Sequence, residues 1–127
     1  RRTAGGAVSM ATREDILAYV KKTFQTEPDY PWRRFPEYAV LRHGGNGKWY
    51  GLILNLPKAR LGLEGEGNID VINLKSDHVL DILVNSVSGA LPAYHMNKKH
   101  WITLVLDGGF PDDELYGLID ESHGLTQ

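Results

Sequence analysis

Residues 38–56 read YAVLRHGGNGKWYGLILNL, and this stretch decides the fold. Apolar residues typical of strands flank residues 44–47, which are GGNG. Glycine and asparagine supply the positive φ that a tight turn needs, so the stretch predicts a β-hairpin with strands over 38–42 and 48–56. It does not predict a phosphate-binding loop, because Trp49 follows Lys48 where a P-loop has serine or threonine and then a helix.

The elements around the hairpin complete an α+β domain. Thr12 and Asp15 form the pattern of a capping box, which predicts a helix over residues 12–24. The other predicted elements are a strand over 68–74, a helix beginning at Ser76, a strand over 101–106 and a helix whose first turn contains Pro111. We therefore expect the order α-β-β-β-α-β-α, folded as a two-layer sandwich. An antiparallel sheet of four strands would carry helices on one face and leave the other partly open.

Length and charge limit the function. A chain of 127 residues fits one domain, and we expect residues 1–9 to be an expression-tag remnant and residues 10–127 to form that domain. Without Arg1 and Arg2, 12 of the 14 basic side chains remain against 16 acidic ones, a formal net charge of −4. A mildly acidic domain is not a general polyanion binder, so a nucleic-acid contact requires a local patch.

Several kinds of chemistry are missing from the sequence. The chain has no cysteine, which excludes disulfides and thiolate chemistry and is typical of the reducing cytoplasm. Its apolar stretches are too short to cross a bilayer. His95 and His100 do not have a recognised metal-ligand spacing, and no nucleophile with its base is recognisable. We therefore expect a cytoplasmic protein that is not an enzyme and has no metal or cofactor.

Residues 94–101, YHMNKKHW, combine aromatic rings, imidazoles, an amide and two ammonium groups. Such groups neutralise phosphates and stack on bases. Together with two cations of the first hairpin, the predicted nucleic-acid-binding residues are Arg42, Lys48, Tyr94, His95, Asn97, Lys98, Lys99, His100 and Trp101. The alternative interpretation is a structured turn, in which the large rings fill the edge of the core and the lysines are solvated.

The wider stretch 92–103, PAYHMNKKHWIT, resembles the signature of the MmcQ/YjbR family. The similarity also includes His43 and residues 47–50, 73–75, 106–108 and 118–123, and it spans essentially all of residues 10–127. His123 departs from it, since the resemblance leads us to expect tyrosine there. The resemblance implies a fold similar to that of CyaY and frataxin. It also implies DNA binding, by analogy with a double-winged DNA-binding arrangement.

The leading hypothesis is a non-enzymatic binding module of bacterial type that contacts DNA through this local basic and aromatic patch. The alternative is a protein-interaction or adaptor domain that uses the open sheet face and has no nucleic-acid ligand. We expect a monomer or a weak dimer with no membrane partner. Phosphate binding predicts an affinity that falls with salt, whereas an apolar contact surface predicts association that tolerates salt.

Overall fold

A five-stranded antiparallel sheet and two helices form the part of the chain that the structure, a computed structural model, describes: residues 11–77, 84, 88–107 and 110–127. In chain order these elements are α1 (Arg13–Phe24), β1 (Ala39–Arg42), β2 (Trp49–Pro57), β3 (Asn68–Lys75), β4 (Ala90–Pro92), β5 (Trp101–Val105) and α2 (Asp112–Leu125). A short 3₁₀ helix, Lys58–Leu61, follows β2. The α+β class and the antiparallel sheet predicted from the sequence are confirmed.

The strand order across the sheet is β1-β2-β3-β5-β4. The predicted count of four strands is wrong, because Ala90–Pro92 pairs with β5 as a fifth strand at the edge of the sheet. Three residues ending in proline give no alternating pattern, and an edge is where a sheet tolerates proline. Most of the predicted second helix lies outside the described part of the chain; of its described residues, Val84 is helical, whereas Ser76 and Asp77 at its predicted start are not.

The predicted hairpin of β1 and β2 is confirmed, and it contains one irregularity. Leu41 pairs with Gly51 and Arg42 pairs with Trp49, so Tyr50 is an extra residue in β2. Such a β-bulge re-aims the side chains around it. Tyr50 consequently belongs to the core beneath the helices, while Trp49 packs with the cluster on the opposite face of the sheet.

Both helices pack on one face of the sheet. Thr12 caps α1 as predicted, since its hydroxyl accepts from the Asp15 N–H at 3.2 Å and the Asp15 carboxylate accepts from the Thr12 N–H at 3.1 Å. The helices bury Ile16, Val20, Leu115, Leu118 and Ile119 against the sheet. Among the described residues, no helix is long and apolar enough to cross a membrane.

The opposite face, here called the loop face, is covered in the described part of the chain by loops and the 3₁₀ helix rather than by α1 or α2. Its floor consists of Val40, Leu52, Leu54, Leu56, Val71 and Val105, and packed over it are Trp32, Tyr38, Trp49, Leu61, Leu63, Ile69, Leu91 and Tyr94. The loop that carries Trp32 is tied to β1, because Asp29 and Val40 exchange two backbone hydrogen bonds of 3.0 and 2.8 Å. The covering is incomplete and leaves a pocket.

Candidate ligand pocket on the loop face

The pocket on the loop face has a volume of about 380 Å³ and a floor of Leu52 and Leu54. The residues that line the rest of it are Trp32, Phe35, Tyr38, Trp49, Arg60, Tyr94, His95 and Met96. Small-molecule sites have volumes of about 300–1,000 Å³ and apolar, aromatic walls with a few polar groups. This pocket meets both criteria, so we take it as the candidate functional site.

The aromatic walls of the pocket are packed against one another. The ring of Trp32 meets those of Trp49 and Tyr38 edge to face, with centroids 5.8 and 6.0 Å apart. Phe35 stacks on Tyr38 at 4.7 Å, and a fourth ring contact joins Tyr94 to the imidazole of His95. Because each ring is held by a neighbour in a favourable geometry, the walls are formed without a ligand.

A buried polar pair holds the wall formed by Tyr94. Asn73 on β3 and Thr103 on β5 are paired in register and are both 0% exposed. The Thr103 hydroxyl donates to the Asn73 side-chain oxygen and accepts from the Tyr94 N–H at 2.8 Å, while the Asn73 amide donates to the Tyr94 carbonyl at 3.0 Å. The N–H and the carbonyl of Tyr94 are therefore both held by hydrogen bonds from side chains of the sheet. His95 follows with a φ of +58°, in the left-handed region.

Two arginines lie at the pocket. Arg60 is exposed, its guanidinium lies 3.5 Å from the Tyr94 hydroxyl, and it forms no ion pair with a carboxylate of the described residues. Arg42 stands over the Trp49 ring at 5.5 Å and is paired with Asp29, with Nε and Oδ2 3.0 Å apart. Of these two arginines, Arg60 is thus the one without a carboxylate partner among the described residues.

The surroundings of Tyr38, which include Arg60, shift the pKa of its phenol. Burial raises the pKa of its phenol, the neighbouring Tyr94 raises it further, and the positive charge of Arg60 opposes both. The phenol therefore stays protonated at neutral pH and offers a hydrogen-bond donor at the pocket wall.

The structure separates the residues predicted for nucleic-acid binding into groups. Tyr94 and His95 line the pocket, and Arg42 stands against its Trp49 wall. The described lining of the pocket does not include Lys48, Asn97, Lys98, Lys99, His100 or Trp101. All six are exposed except Trp101, which is half-buried at the start of β5.

Asn97 organises the turn that follows the pocket wall. Its side-chain oxygen accepts from the Lys99 N–H at 2.8 Å, and its carbonyl accepts from the N–H groups of His100 and Trp101 at 3.2 and 2.9 Å. These bonds close the turn into β5. The side chains of Lys98 and Lys99 are exposed, and so are those of His95 and His100.

Sequence reasoning missed several residues of the pocket. No sequence pattern marked Trp32, Phe35 or Arg60 as part of a site, and Tyr38 was predicted only as the first residue of a strand. Asn73 did carry a signal, since it is a polar residue in a strand that is otherwise mostly apolar. The described residues contain no group of three or more His, Asp or Glu side chains positioned to hold a metal ion.

The fold and the pocket define a class: small α+β domains with helices on one sheet face and a loop-covered aromatic pocket on the other. The family model described as YjbR matches residues 21–125, and the chain belongs to the YjbR family. The resemblance seen in the sequence is thereby confirmed.

The relatives extend this result over the whole fold. The chain is 48% identical over 118 residues to the uncharacterized protein YyaQ of Bacillus subtilis, covering 93% of this chain and 100% of that protein. It is similar to a crystal structure of a Pseudomonas syringae protein, with a TM-score of 0.87, 42% identity and coverage of 91% and 99%. Deinococcus radiodurans DR2400 gives a TM-score of 0.66 at 25% identity, with coverage of 90% and 77%.

Proposed function

We propose that this YjbR-family chain is a non-enzymatic, cytoplasmic binding module for single-stranded nucleic acid, and that the loop face is its contact surface. The observation that carries the proposal is the preformed aromatic pocket with the guanidinium of Arg60 at its rim, which forms no ion pair with a carboxylate of the described residues. Stacking on an aromatic side chain contributes about 1–3 kcal/mol per base, and an adjacent cation neutralises phosphate. A single strand is favoured over a duplex because its bases are free to enter a pocket.

The distribution of charge supports the same face. Helices α1 and α2 together carry three lysines and arginines against seven acidic side chains, and α2 has five acids with no lysine or arginine. The segments of the loop face, residues 27–38, 58–67 and 93–100, carry six basic side chains against five acidic ones. A polyanion is therefore repelled by the helical side and directed to the loop face.

The basic residues predicted from the sequence take a secondary part in this proposal. Lys98 and Lys99 lie on the same segment as Tyr94 and His95, and we assign them to the phosphates of the strand on either side of the bound base. Lys48 in the hairpin loop would extend this contact. Arg42 strengthens the Trp49 wall through its position over the ring, while Asn97, His100 and Trp101 shape the turn.

The test is fluorescence anisotropy with labelled single-stranded and duplex DNA at low and near-physiological salt. We expect micromolar or tighter binding to the single strand that weakens with salt and falls severalfold in Arg60→Ala and in Lys98→Ala/Lys99→Ala. The matched control is Lys21→Ala/Lys22→Ala, which removes the same charge from exposed positions of α1. A second control is protein that lacks residues 1–9, because the charges of Arg1 and Arg2 are then absent from the measurement.

Two results would contradict this proposal. One is the absence of binding at low salt, and the other is an equal loss of affinity in the loop-face variants and in the α1 control.

A protein partner is the alternative, and one observation favours it. Tyr30 and Phe35 on the loop that covers the sheet are 47% and 46% exposed, which is unusual for large apolar rings. Association through these rings would tolerate salt and would be lost in Phe35→Ala, whereas it would be indifferent to Lys98 and Lys99.

A further inference from the structure

A second depression adjoins the aromatic pocket and differs from it in chemistry. It has a volume of about 310 Å³ and is lined by Arg34, Phe35, Pro36, Glu37, Tyr38, Asn55, Leu56, Pro57, Arg60 and Asn68. Phe35, Tyr38 and Arg60 line both spaces, so the two form one groove with the stacked Phe35–Tyr38 pair at the junction.

The lining of the second depression contains more polar residues than that of the first. Its lining includes two arginines, Arg34 and Arg60, and one acidic residue, Glu37. Neither arginine forms an ion pair with a carboxylate in the described part of the chain. The Asn68 amide donates to the Asn55 side-chain oxygen at 2.8 Å, and Asn55 donates to Asp70 at 3.0 Å, which fixes the wall behind the arginines.

This arrangement fits a ligand with a planar ring at one end and an anion at the other. Arginine is the residue best suited to a phosphate, because its planar guanidinium donates two parallel hydrogen bonds. The aromatic space would take the ring by stacking, and the two arginines would take the anion. Arg60 stands at the border between the two spaces, where the ring and the anion of one small ligand are joined.

We propose that the groove binds a single nucleotide unit, a nucleobase in the aromatic pocket and its own phosphate between Arg34 and Arg60, so that a nucleoside monophosphate is a sufficient ligand. This inference rests on the proposed function in one respect, namely that a base occupies the aromatic pocket. It goes beyond that function by placing the recognised phosphate at Arg34 and Arg60 rather than at the lysine turn. It also predicts that a free nucleotide binds without a strand around it.

The experiment is isothermal titration calorimetry of the full chain with AMP, adenosine and inorganic phosphate at low salt. We expect AMP to bind at least tenfold more tightly than either adenosine or phosphate. Arg34→Gln and, separately, Arg60→Gln should remove most of the difference between AMP and adenosine. Arg34→Gln should also leave the affinity for adenosine nearly unchanged, since Arg34 does not line the aromatic pocket. Arg33→Gln is the matched control, since Arg33 is an exposed neighbour in the same loop that lines neither space.

The outcomes separate this inference from the proposed function when an oligonucleotide is titrated in parallel. Equal affinities for AMP and adenosine, or equal effects of Arg33→Gln and Arg34→Gln, overturn the two-part groove even if the oligonucleotide binds. Binding of AMP with the expected arginine dependence, without binding of the oligonucleotide, supports the groove and overturns the strand-binding function. Absence of binding by both ligands overturns both. Unchanged amide spectra of each variant would confirm that it is folded.

Discussion

Asn73 and Thr103 are the residues on which the geometry of the pocket most depends. They lie side by side in the middle of the sheet and are fully buried, a position that is unfavourable for polar groups unless they are hydrogen-bonded. Their hydrogen bonds go to each other and to both backbone groups of Tyr94. The pair therefore links the interior of the sheet to the wall of the pocket.

Thr103→Val tests that link, because valine keeps the shape of threonine and removes its hydroxyl. The Tyr94 N–H and the Asn73 side-chain oxygen would each lose a buried partner. We expect the free energy of unfolding, measured with urea, to fall by about 1–3 kcal/mol. Affinity for a single strand should fall as well, since the Tyr94 wall loses an anchor. A variant as stable as the parent would show that the bonds make no net contribution.

His123 predicts a pH dependence of stability. Its ring stacks on Phe24 at 3.7 Å and lies 4.1 Å from the ring of His43, whose Nε2 is 2.7 Å from the Thr126 hydroxyl. Burial lowers the pKa of His123 below its ordinary value, His43 lowers it further, and Asp120 opposes them. The unfolded chain thus binds a proton more readily than the folded one. The contribution of His123 to the free energy of unfolding is therefore present above about pH 6.5, and it is lost as the pH falls toward the pKa of His123 in the folded chain.

The measurement for this prediction is urea unfolding at about pH 7.5 and about pH 5.5, on either side of the ordinary pKa of histidine. We expect a lower free energy of unfolding for the parent at the acidic pH. The decrease should be smaller in His123→Phe, which keeps a ring stacked on Phe24 but cannot take up a proton. Parallel pH dependences in the two proteins would contradict the assignment to His123.

At the scale of elements, the sequence predicted the features that depend on interactions between residues close together in the chain. The β1–β2 hairpin and the cap of α1 were evident because the GGNG turn and the Thr12–Asp15 pair act within a few residues. The bulge at Tyr50 and the edge strand β4 were not, because each is defined by pairing with another strand. Alternation places Trp49 and Tyr50 on opposite faces of β2, but the bulge determines which face each of them takes.

Replacing glycine by alanine should change the free energy of unfolding in opposite directions at two positions in different elements. A Cβ at Gly51 in β2 would lie 2.9 Å from the Cδ1 of the fully buried Leu41, so Gly51→Ala should destabilise the fold by about 1–3 kcal/mol. A Cβ at Gly117 in α2 meets nothing within 4 Å. Gly117→Ala should therefore stabilise it by about 0.5–1 kcal/mol through helix propensity. Urea unfolding measures both, and changes of the same sign would contradict the prediction.

At the scale of the whole molecule, the pocket draws its walls from separate parts of the chain. The sequence identified Tyr94 and His95, because they lie within one stretch rich in chemistry. It did not identify Trp32, Trp49 or Arg60 as their neighbours, since these come from the loop before β1, from β2 and from the 3₁₀ helix. Only the packing of those segments over the loop face brings them together. The charge distribution likewise becomes informative once the acidic helix α2 is known to share one side of the sheet with α1.

The salt dependence of binding follows from this arrangement. On a single strand, each neutralised phosphate contributes a slope of about −0.7 to the logarithm of affinity against the logarithm of salt concentration. Arg60→Ala should reduce the magnitude of the slope by about 0.7, because it removes one phosphate contact. Lys21→Ala/Lys22→Ala should leave the slope unchanged. Anisotropy titrations across a salt series measure it, and equal slopes for the parent and Arg60→Ala would argue against a phosphate at Arg60.

The most direct test of the pocket as the ligand site is a ¹⁵N NMR titration of the full chain with a short single-stranded oligonucleotide. The chain has three tryptophans, so the indole N–H signals report on few positions. We predict that the indole signals of Trp32 and Trp49 and the amide signals of Tyr94 and His95 shift together, while the amides of α1 and α2 stay in place. Shifts confined to the helices or to the turn around Lys98, with the pocket signals unmoved, would contradict the account.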